Sequence, residues 1–232
     1  MSLVGREFNV HRNFGPYIVR STISDELHKI LLDTANKIRK NKKLKKDNDY
    51  RKNLAGNLTE EYSYANAFTA KEEKIVEEEL VWLASEFTKL SNKIIHQNLS
   101  REPKDIIMQK PVWVNFMKEG EWNPIHNHTG DLSCVTYLQV PDEIKEENNS
   151  SDTSSKSNTP SAGKLEFNYG DQIGYCNTGC IMSPREKDIY IFPAKLHHSV
   201  YPFKSKVERI SVSVNFADKV NAMRNLQAEG ER

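Results

Sequence analysis

The sequence predicts a mainly β protein with flanking helices: a small sandwich or barrel in the second half, with two N-terminal helices packed on one sheet. Three observations carry this. After Pro103 the chain breaks into short β-rich segments separated by turn signals. Several of these alternate polar and apolar residues with period two. Upstream, two stretches repeat apolar residues every three or four positions, the spacing of one helix face.

In chain order, residues 1–21 read as an extended entry segment, and Met1-Ser2-Leu3 carries no weight. Thr22 with Asp25 offers N-cap chemistry, and Leu27, Ile30, Leu31 and Ile38 then place an amphipathic helix over about 22–40. The basic run Lys40–Lys46 reads as a solvated helix end and loop rather than an anion-binding patch, because the overall charge is balanced. Residues 50–69 are polar, with Tyr62, Tyr64 and Phe68 among them. Val76, Leu80, Leu83, Phe87, Leu90 and Ile94 form one stripe on a second helix over about 71–98. That stripe suits packing on the protein's own sheet, and more weakly a homodimer seam.

Strands are expected at Ile106–Met117, Leu132–Val140, Lys164–Tyr169, Asp188–Phe192, His198–Phe203 and Arg209–Phe216. In the last of these, odd positions are polar and even positions apolar. One face then packs in a core while the other lines something polar. Between them, Glu143–Ala162 is so poor in apolar residues that it reads as a disordered insert at the barrel rim. The expected organisation is an extension with two packing helices over 1–105, a β core over 106–220 and a tail over 221–232.

Composition narrows the function. The chain has 232 residues, 33 basic against 32 acidic, for a net charge of +1. No membrane or nucleic-acid partner is expected from that balance or from the apolar runs. Three cysteines, Cys134, Cys176 and Cys180, fit a reducing compartment, hence a cytoplasmic location, or the host cytoplasm for a viral protein. Cys176 and Cys180 form a C-x3-C pair, but a zinc site needs two further ligands nearby and none is visible.

The chemistry concentrates in the histidines. In His126-Asn127-His128, residues i and i+2 of an extended chain point to the same side. Neutral imidazole is a common ligand for iron, zinc, copper and nickel. His-x-His alone is a weak signal. It gains weight from His197-His198, about seventy residues later at the start of a predicted strand. Eleven residues beyond His198 stands Arg209, with Ser211 on the same face. Histidines on a metal, with a guanidinium deeper in the same barrel, suit a chelating dicarboxylate.

With these residues in hand, the chain resembles the iron(II)- and 2-oxoglutarate-dependent oxygenases, most closely the prolyl-hydroxylase-like members found in marine phages and bacteria. The resemblance runs from Val112 to Phe216. It rests on Trp113-Val114-Asn115, Asn123–His128, Leu132-Ser133 through Tyr137-Leu138, Gly163–Phe167, Ile191-Phe192-Pro193, His198–Pro202 and Arg209–Asn215. Leu54-Ala55-Gly56 followed by Leu58–Tyr62 also looks like the phage branch. The resemblance implies a double-stranded β-helix, a jelly-roll or cupin-like barrel. It implies Fe(II) and 2-oxoglutarate as cofactors, and a hydroxylase that couples oxidative decarboxylation to succinate with oxidation of an unidentified substrate by O2. A peptide or protein is the favoured substrate by that analogy.

Carried over residue by residue, His126 is the first metal ligand and His198 the distal one. Arg209 takes the far carboxylate of 2-oxoglutarate, assisted by Tyr137, with Ser133 and Ser211 nearby. The matching segment reads Leu-x-His-x-Val, which selects His198 over His197. The usual family motif has Asp two residues after the first histidine, where this chain has His128. Two readings stay open: His128 as second ligand in a three-histidine site, or Asp131 swinging in. Side-chain direction favours His128; neutralisation of the ion's charge favours Asp131. Asn115, Asn127 and Asn215 are candidates to orient the ligands, and Trp113 and Trp122 to line the pocket. His11, His28 and His96 receive no role. Two other readings fit the same residues: a three-histidine cupin-type dioxygenase that needs no 2-oxoglutarate, and a non-enzymatic metal-binding structural module.

Overall fold

The alternation in Arg209–Asp218 sets the layering. Ile210, Val212, Val214 and Phe216 enter one apolar core, while Arg209, Ser211, Ser213 and Asn215 turn to the opposite side and line a cavity. A computed structural model describes residues 6–12, 15–53, 55–95, 105–150, 158–171 and 178–219. Along the chain these form β1 (Asn9–Arg12), β2 (Tyr17–Thr22), α1 (Asp25–Lys40), α2 (Lys42–Asp47), a 3-10 turn (Arg51–Asn53), β3 (Glu60–Ser63) and α3 (Ala70–Ile95). There follow β4 (Ile106–Met117), β5 (Asn123–His126), β6 (Leu132–Gln139), α4 (Asp142–Asn149), β7 (Leu165–Asn168), β8 (Gly179–Met182), β9 (Asp188–Pro193), β10 (His197–Val200) and β11 (Arg209–Asp218).

The strands form two antiparallel sheets, one ordered β1-β2-β9-β6-β11-β4-β3 and the other β5-β10-β7-β8. Side chains of both sheets meet in a shared core that includes Tyr137, Leu165, Phe167, Phe192 and Phe203. The Phe167 and Phe192 rings cross edge-on, with centroids 4.8 Å apart. The other face of the large sheet carries the helices. Leu27, Leu31 and Ile38 of α1 and Val76, Leu80, Leu83 and Phe87 of α3 pack there against Val114, Cys134, Ile189, Ile191 and Val212. The α3 stripe is thus covered by the chain's own sheet. The layers are helices, large sheet, small sheet; the two sheets face each other without closing into a single hydrogen-bonded barrel.

Some expectations need correction. The cap of α1 is Ser24, whose hydroxyl accepts from the Leu27 N–H at 3.0 Å. Thr22 is instead the last residue of β2, paired with Asp188. A strand partner outcompetes a local capping geometry here. The basic run becomes α2, capped by Asn41 through the N–H groups of Lys43 and Leu44. The entry segment and the 50–69 stretch supply β1, β2 and β3, all of which extend the large sheet.

The insert expected to be disordered begins as α4. Ile144 is buried in the inter-sheet core with Ala162. The Glu147 carboxylate accepts from the backbone N–H of Lys204 and Ser205 and from the Ser205 hydroxyl. One isoleucine and one carboxylate with three donors suffice to order an otherwise polar stretch. Residues 151–157, Cys176, His96, Leu54, the end of the second predicted helix and the tail lie outside the described residues. Among the described residues, no helix is long and apolar enough to cross a membrane.

Candidate metal centre and its pocket

Two strand registers bring the histidines together. In the small sheet, His126 of β5 pairs directly with His198 of β10. Beyond β5, the His128 N–H donates to the Ala194 carbonyl at 2.8 Å, which anchors the loop against the end of β9. One ligand nitrogen from each of His126, His128 and His198 lies within 4.8 Å of the others. Nε2 of His128 and Nε2 of His198 are 3.1 Å apart. Two ligands at right angles on a metal, with bonds of about 2.1 Å, sit about 3 Å apart.

Hydrogen bonds on the far side of two rings aim their free nitrogens inward. The Nδ1–H of His126 donates to the Pro124 carbonyl at 2.8 Å, and that of His198 to the Leu196 carbonyl at 2.9 Å. Each bond leaves the Nε2 lone pair unprotonated for a metal. Burial keeps all three rings neutral, aided by mutual repulsion at His128 and His198. It lowers His126, takes His128 down to about 4 and takes His198 down to about 3. Three neutral imidazoles on one side of a half-buried cavity are a donor set in need of a cation.

His197 points the other way. It is exposed, 3.2 Å from the Asn127 amide, as the alternation of β10 requires. Asp131 is engaged elsewhere: its Oδ2 accepts from the Asp218 N–H at 2.8 Å, and it is not part of the ligand cluster.

The cavity around the cluster has a volume of about 300 Å³. Its walls hold buried polar atoms that lack hydrogen-bond partners: the Tyr137 hydroxyl, Nε of Arg209, Asn115 Oδ1, Asn215 Oδ1 and Glu61 Oε2. Nearly all buried polar atoms in folded proteins are paired, so such a group around one cavity marks a place built for a polar guest. Arg209 is 2% exposed, donates to the Gly163 carbonyl at 2.8 Å and forms no ion pair among the described residues. Its guanidinium lies over the Tyr137 ring, 5.4 Å from the centroid. Burial lowers the Arg209 pKa and pushes the Tyr137 phenol up to about 12, so the phenol stays a donor. A buried cation beside an unused hydroxyl fits a carboxylate.

Of the other expected residues, Ser211, Asn115, Asn127, Asn215 and Trp113 line the cavity. Ser133 is fully buried with an unpartnered hydroxyl but does not line it, and Trp122 is 44% exposed outside it. Sequence reasoning missed Tyr50 and Glu61, which close the cavity from the N-terminal half. The signal was slight: the four-residue strand Glu60–Ser63 holds a single apolar residue, Tyr62. Gly56 makes this wall possible. A Cβ there would lie under 3 Å from Trp122 O and Asn123 Oδ1, so only glycine lets the chain at Gly56 and Asn57 run against Trp122 and Asn123. The Asn57 N–H seals the approach by donating to the Trp122 carbonyl at 2.9 Å.

Three convergent imidazoles and a buried arginine in one cavity between two sheets make a site suited to a transition metal and an anionic ligand. Comparison with known proteins is specific: residues 111–215 match the family model described as "Putative 2OG-Fe(II) oxygenase". That segment is similar to the iron(II)- and 2-oxoglutarate-dependent oxygenases, a family of oxidoreductases whose cofactors are Fe(II) and 2-oxoglutarate, and its three clustered imidazoles could hold such an ion.

Among solved structures, the chain resembles AviO1 from Streptomyces viridochromogenes Tue57, at 12% identity, covering 87% of this chain and 90% of that one with a TM-score of 0.53. It also resembles EvdMO1, at 13% identity over 92% of this chain and 55% of that one, TM-score 0.53. A prolyl-4-hydroxylase from Pseudomonas putida aligns at 12% identity over 85% and 91%, TM-score 0.48. At these identities the likeness is one of fold. No curated protein matches the sequence.

Proposed function

We propose that His126, His128 and His198 hold the iron, and that Arg209, with Tyr137 and Ser211, receives the far carboxylate of 2-oxoglutarate. The observation that carries this is the pairing of a buried guanidinium, without a counter-ion among the described residues and with its Nε unpartnered, with an unpartnered phenol in the cavity that the three imidazoles face. Once bound, the metal and 2-oxoglutarate together supply O2 activation, driven by oxidative decarboxylation to succinate and CO2, for oxidation of a substrate.

The chain's own residues do the rest. The carbonyls of Pro124 and Leu196 fix two imidazole tautomers, so the donor set needs little rearrangement. Arg209 and Tyr137 orient a dicarboxylate by its remote end, which leaves its keto-acid end toward the histidines. Phe192 and Phe167 pack edge-on against and beside His198 and keep water from that ring. Asn115 and Asn215 offer unpartnered amide oxygens to whatever enters. On this reading residues 106–220 form the catalytic core, and 1–105 supply the outer strands, the helical cover and one cavity wall.

A peptide or protein substrate is the preferred reading. Ile125 and Trp122 are 63% and 44% exposed beside β5, next to His126, an apolar rim suited to a chain lying across the opening. Purified protein supplied with Fe(II), O2 and 2-oxoglutarate should release succinate, and omitting either iron or the keto acid should stop it. Iron-dependent O2 uptake without any keto acid would replace this reading with the cupin-type one.

A further inference from the structure

Glu61 is the only carboxyl among the residues that line the cavity. It is 3% exposed, its Oε2 has no hydrogen-bond partner, and no lysine or arginine pairs with it among the described residues. The reason is strand geometry. Adjacent residues of β3 face opposite ways. Glu60, on the other face, gathers Arg39, Lys45 and Lys118. Glu61 is left with neighbours that add to its burden: burial, then the charge of Asp49, push its carboxyl up to about 8.

Beside Glu61 lie an unpartnered acceptor and two aromatic rings. Across the ladder it pairs with Asn115, whose Oδ1 is unpartnered. Tyr50 is tied to it by a backbone bond, Tyr50 N–H to Glu61 O at 3.0 Å. The Tyr50 ring lies 5.9 Å from the Trp113 ring, and Trp113 in turn lies 5.7 Å from the His128 ring. Two aromatic rings thus lead from the neighbourhood of Glu61 to the histidine cluster. Carboxylates and aromatic faces together are a recognition set for ammonium and guanidinium groups.

The polar row also separates two ends. Glu61, Asn115, Ser211 and Tyr137 are successive partners across β3, β4, β11 and β6. Strand spacing puts the first and last backbones roughly 14 Å apart. The cavity therefore carries a guanidinium at the Tyr137 end and a carboxyl at the other.

We propose that the Glu61 end of the cavity recognises a cationic substrate group, an ammonium or guanidinium such as a lysine or arginine side chain, with Glu61 as counter-ion and Tyr50 and Trp113 as walls. This rests on the assignment of the histidines to iron and of Arg209 to 2-oxoglutarate. It accounts for how the two ends stay distinct: a dicarboxylate is drawn to the guanidinium of Arg209, while a cationic group is drawn to Glu61, which releases its proton on pairing. A cavity of about 300 Å³ is at the small end for ligand sites, which suits a cosubstrate and one inserted side chain.

The test compares Nα-acetyl-lysine N-methylamide and its arginine counterpart with the neutral norleucine compound. Binding to the full chain, loaded anaerobically with Fe(II) and 2-oxoglutarate, is read by ligand-observed NMR. At least one cationic probe should bind about tenfold or more tightly than norleucine, the change expected of a hydrogen bond to a charged group. In Glu61→Gln that ratio should fall to near one, and in Tyr50→Leu the cationic probe alone should weaken. Equal binding of charged and neutral probes by the unaltered protein overturns the proposal, as does a cation preference that survives Glu61→Gln. A 2-oxoglutarate titration without any probe tests the underlying assignment separately: if the keto acid binds and cations are not preferred, only the cation site is lost.

Discussion

Replacing Arg209 by methionine should weaken 2-oxoglutarate binding severely while leaving the ligand-free protein as stable as before, or more so. The opposite signs follow from the guanidinium's surroundings. Arg209 is 2% exposed, holds one hydrogen bond, to Gly163 O at 2.8 Å, and leaves Nε unpartnered. Without ligand it is a buried charge lacking a counter-ion, and the desolvation penalty is several kcal/mol. Methionine removes that penalty and fills much of the same volume, at the cost of orphaning the Gly163 carbonyl, about 1–3 kcal/mol. With ligand the balance reverses. Removing one partner of a buried ion pair costs about 3–5 kcal/mol, which is roughly two to four powers of ten in Kd. Anaerobic calorimetry of 2-oxoglutarate into the Fe(II)-loaded protein, beside thermal unfolding of the metal-free protein, reads both effects. A Kd within threefold of the parent would refute the assignment of Arg209. A ligand-free protein destabilised by more than a few kcal/mol would refute the claim that its charge is uncompensated.

Other expectations are narrower. His128→Ala should abolish Co(II) binding followed by its visible absorption, whereas Asp131→Asn should retain it and lower the melting temperature, since Asp131 holds the Asp218 N–H. Glu60 and Glu61 should shape the pH profile of the chelator-treated protein in opposite ways, measured by urea unfolding. Glu61, pushed up to about 8 from 4.5, retains in the folded state a proton that the unfolded chain releases, so stability falls as pH rises from about 4.5 to 8; Glu61→Gln should remove that fall. Glu60, held down to about 2 against its burial by Lys45, Lys118 and Arg39, contributes fully above about pH 4.5 and loses that contribution as pH drops toward 2; Glu60→Gln should flatten the acid limb. Gly56→Ala should raise the KM for substrate more than it alters unfolding, because its Cβ would push the Gly56–Asn57 segment off Trp122 and Asn123 at the cavity wall. Glu147→Ala should cost about 1–3 kcal/mol by orphaning the Lys204 and Ser205 N–H groups.

What could be read from the sequence followed periodicity. The β11 alternation marks both the core face and the cavity face, because a two-residue period sustained along a strand of this length arises from little else than a pleated backbone with two unlike sides. Ile106–Met117 forms a strand with both of its predicted ends. His-x-His and the later His198 were legible for the same reason: strand geometry fixes direction. Short strands were not. β5 and β8 have four residues each, and Pro124 and Gly179 blur their patterns. The place of β5 is decided by His198, 72 residues beyond His126, and that of β8 by the ladder that pairs Cys180 with Phe167. The order in α4 hangs on two side chains, Ile144 finding a core that other segments build and Glu147 holding the Lys204 and Ser205 N–H groups. Glu61 escaped notice because a Glu-Glu pair normally signals a solvated surface. Only the ladder beside β4 reveals that one member faces solvent-side cations and the other an enclosed cavity.

The most direct measurement is an anaerobic titration with Fe(II) and then 2-oxoglutarate, followed by visible absorption. A weak metal-to-ligand charge-transfer band should appear only when both are present, and should be lost in His126→Ala and in Arg209→Met at moderate keto-acid concentration. Iron that binds without developing the band on addition of 2-oxoglutarate, or a band indifferent to both substitutions, would contradict the assignment of the three histidines and the arginine to one oxygenase centre.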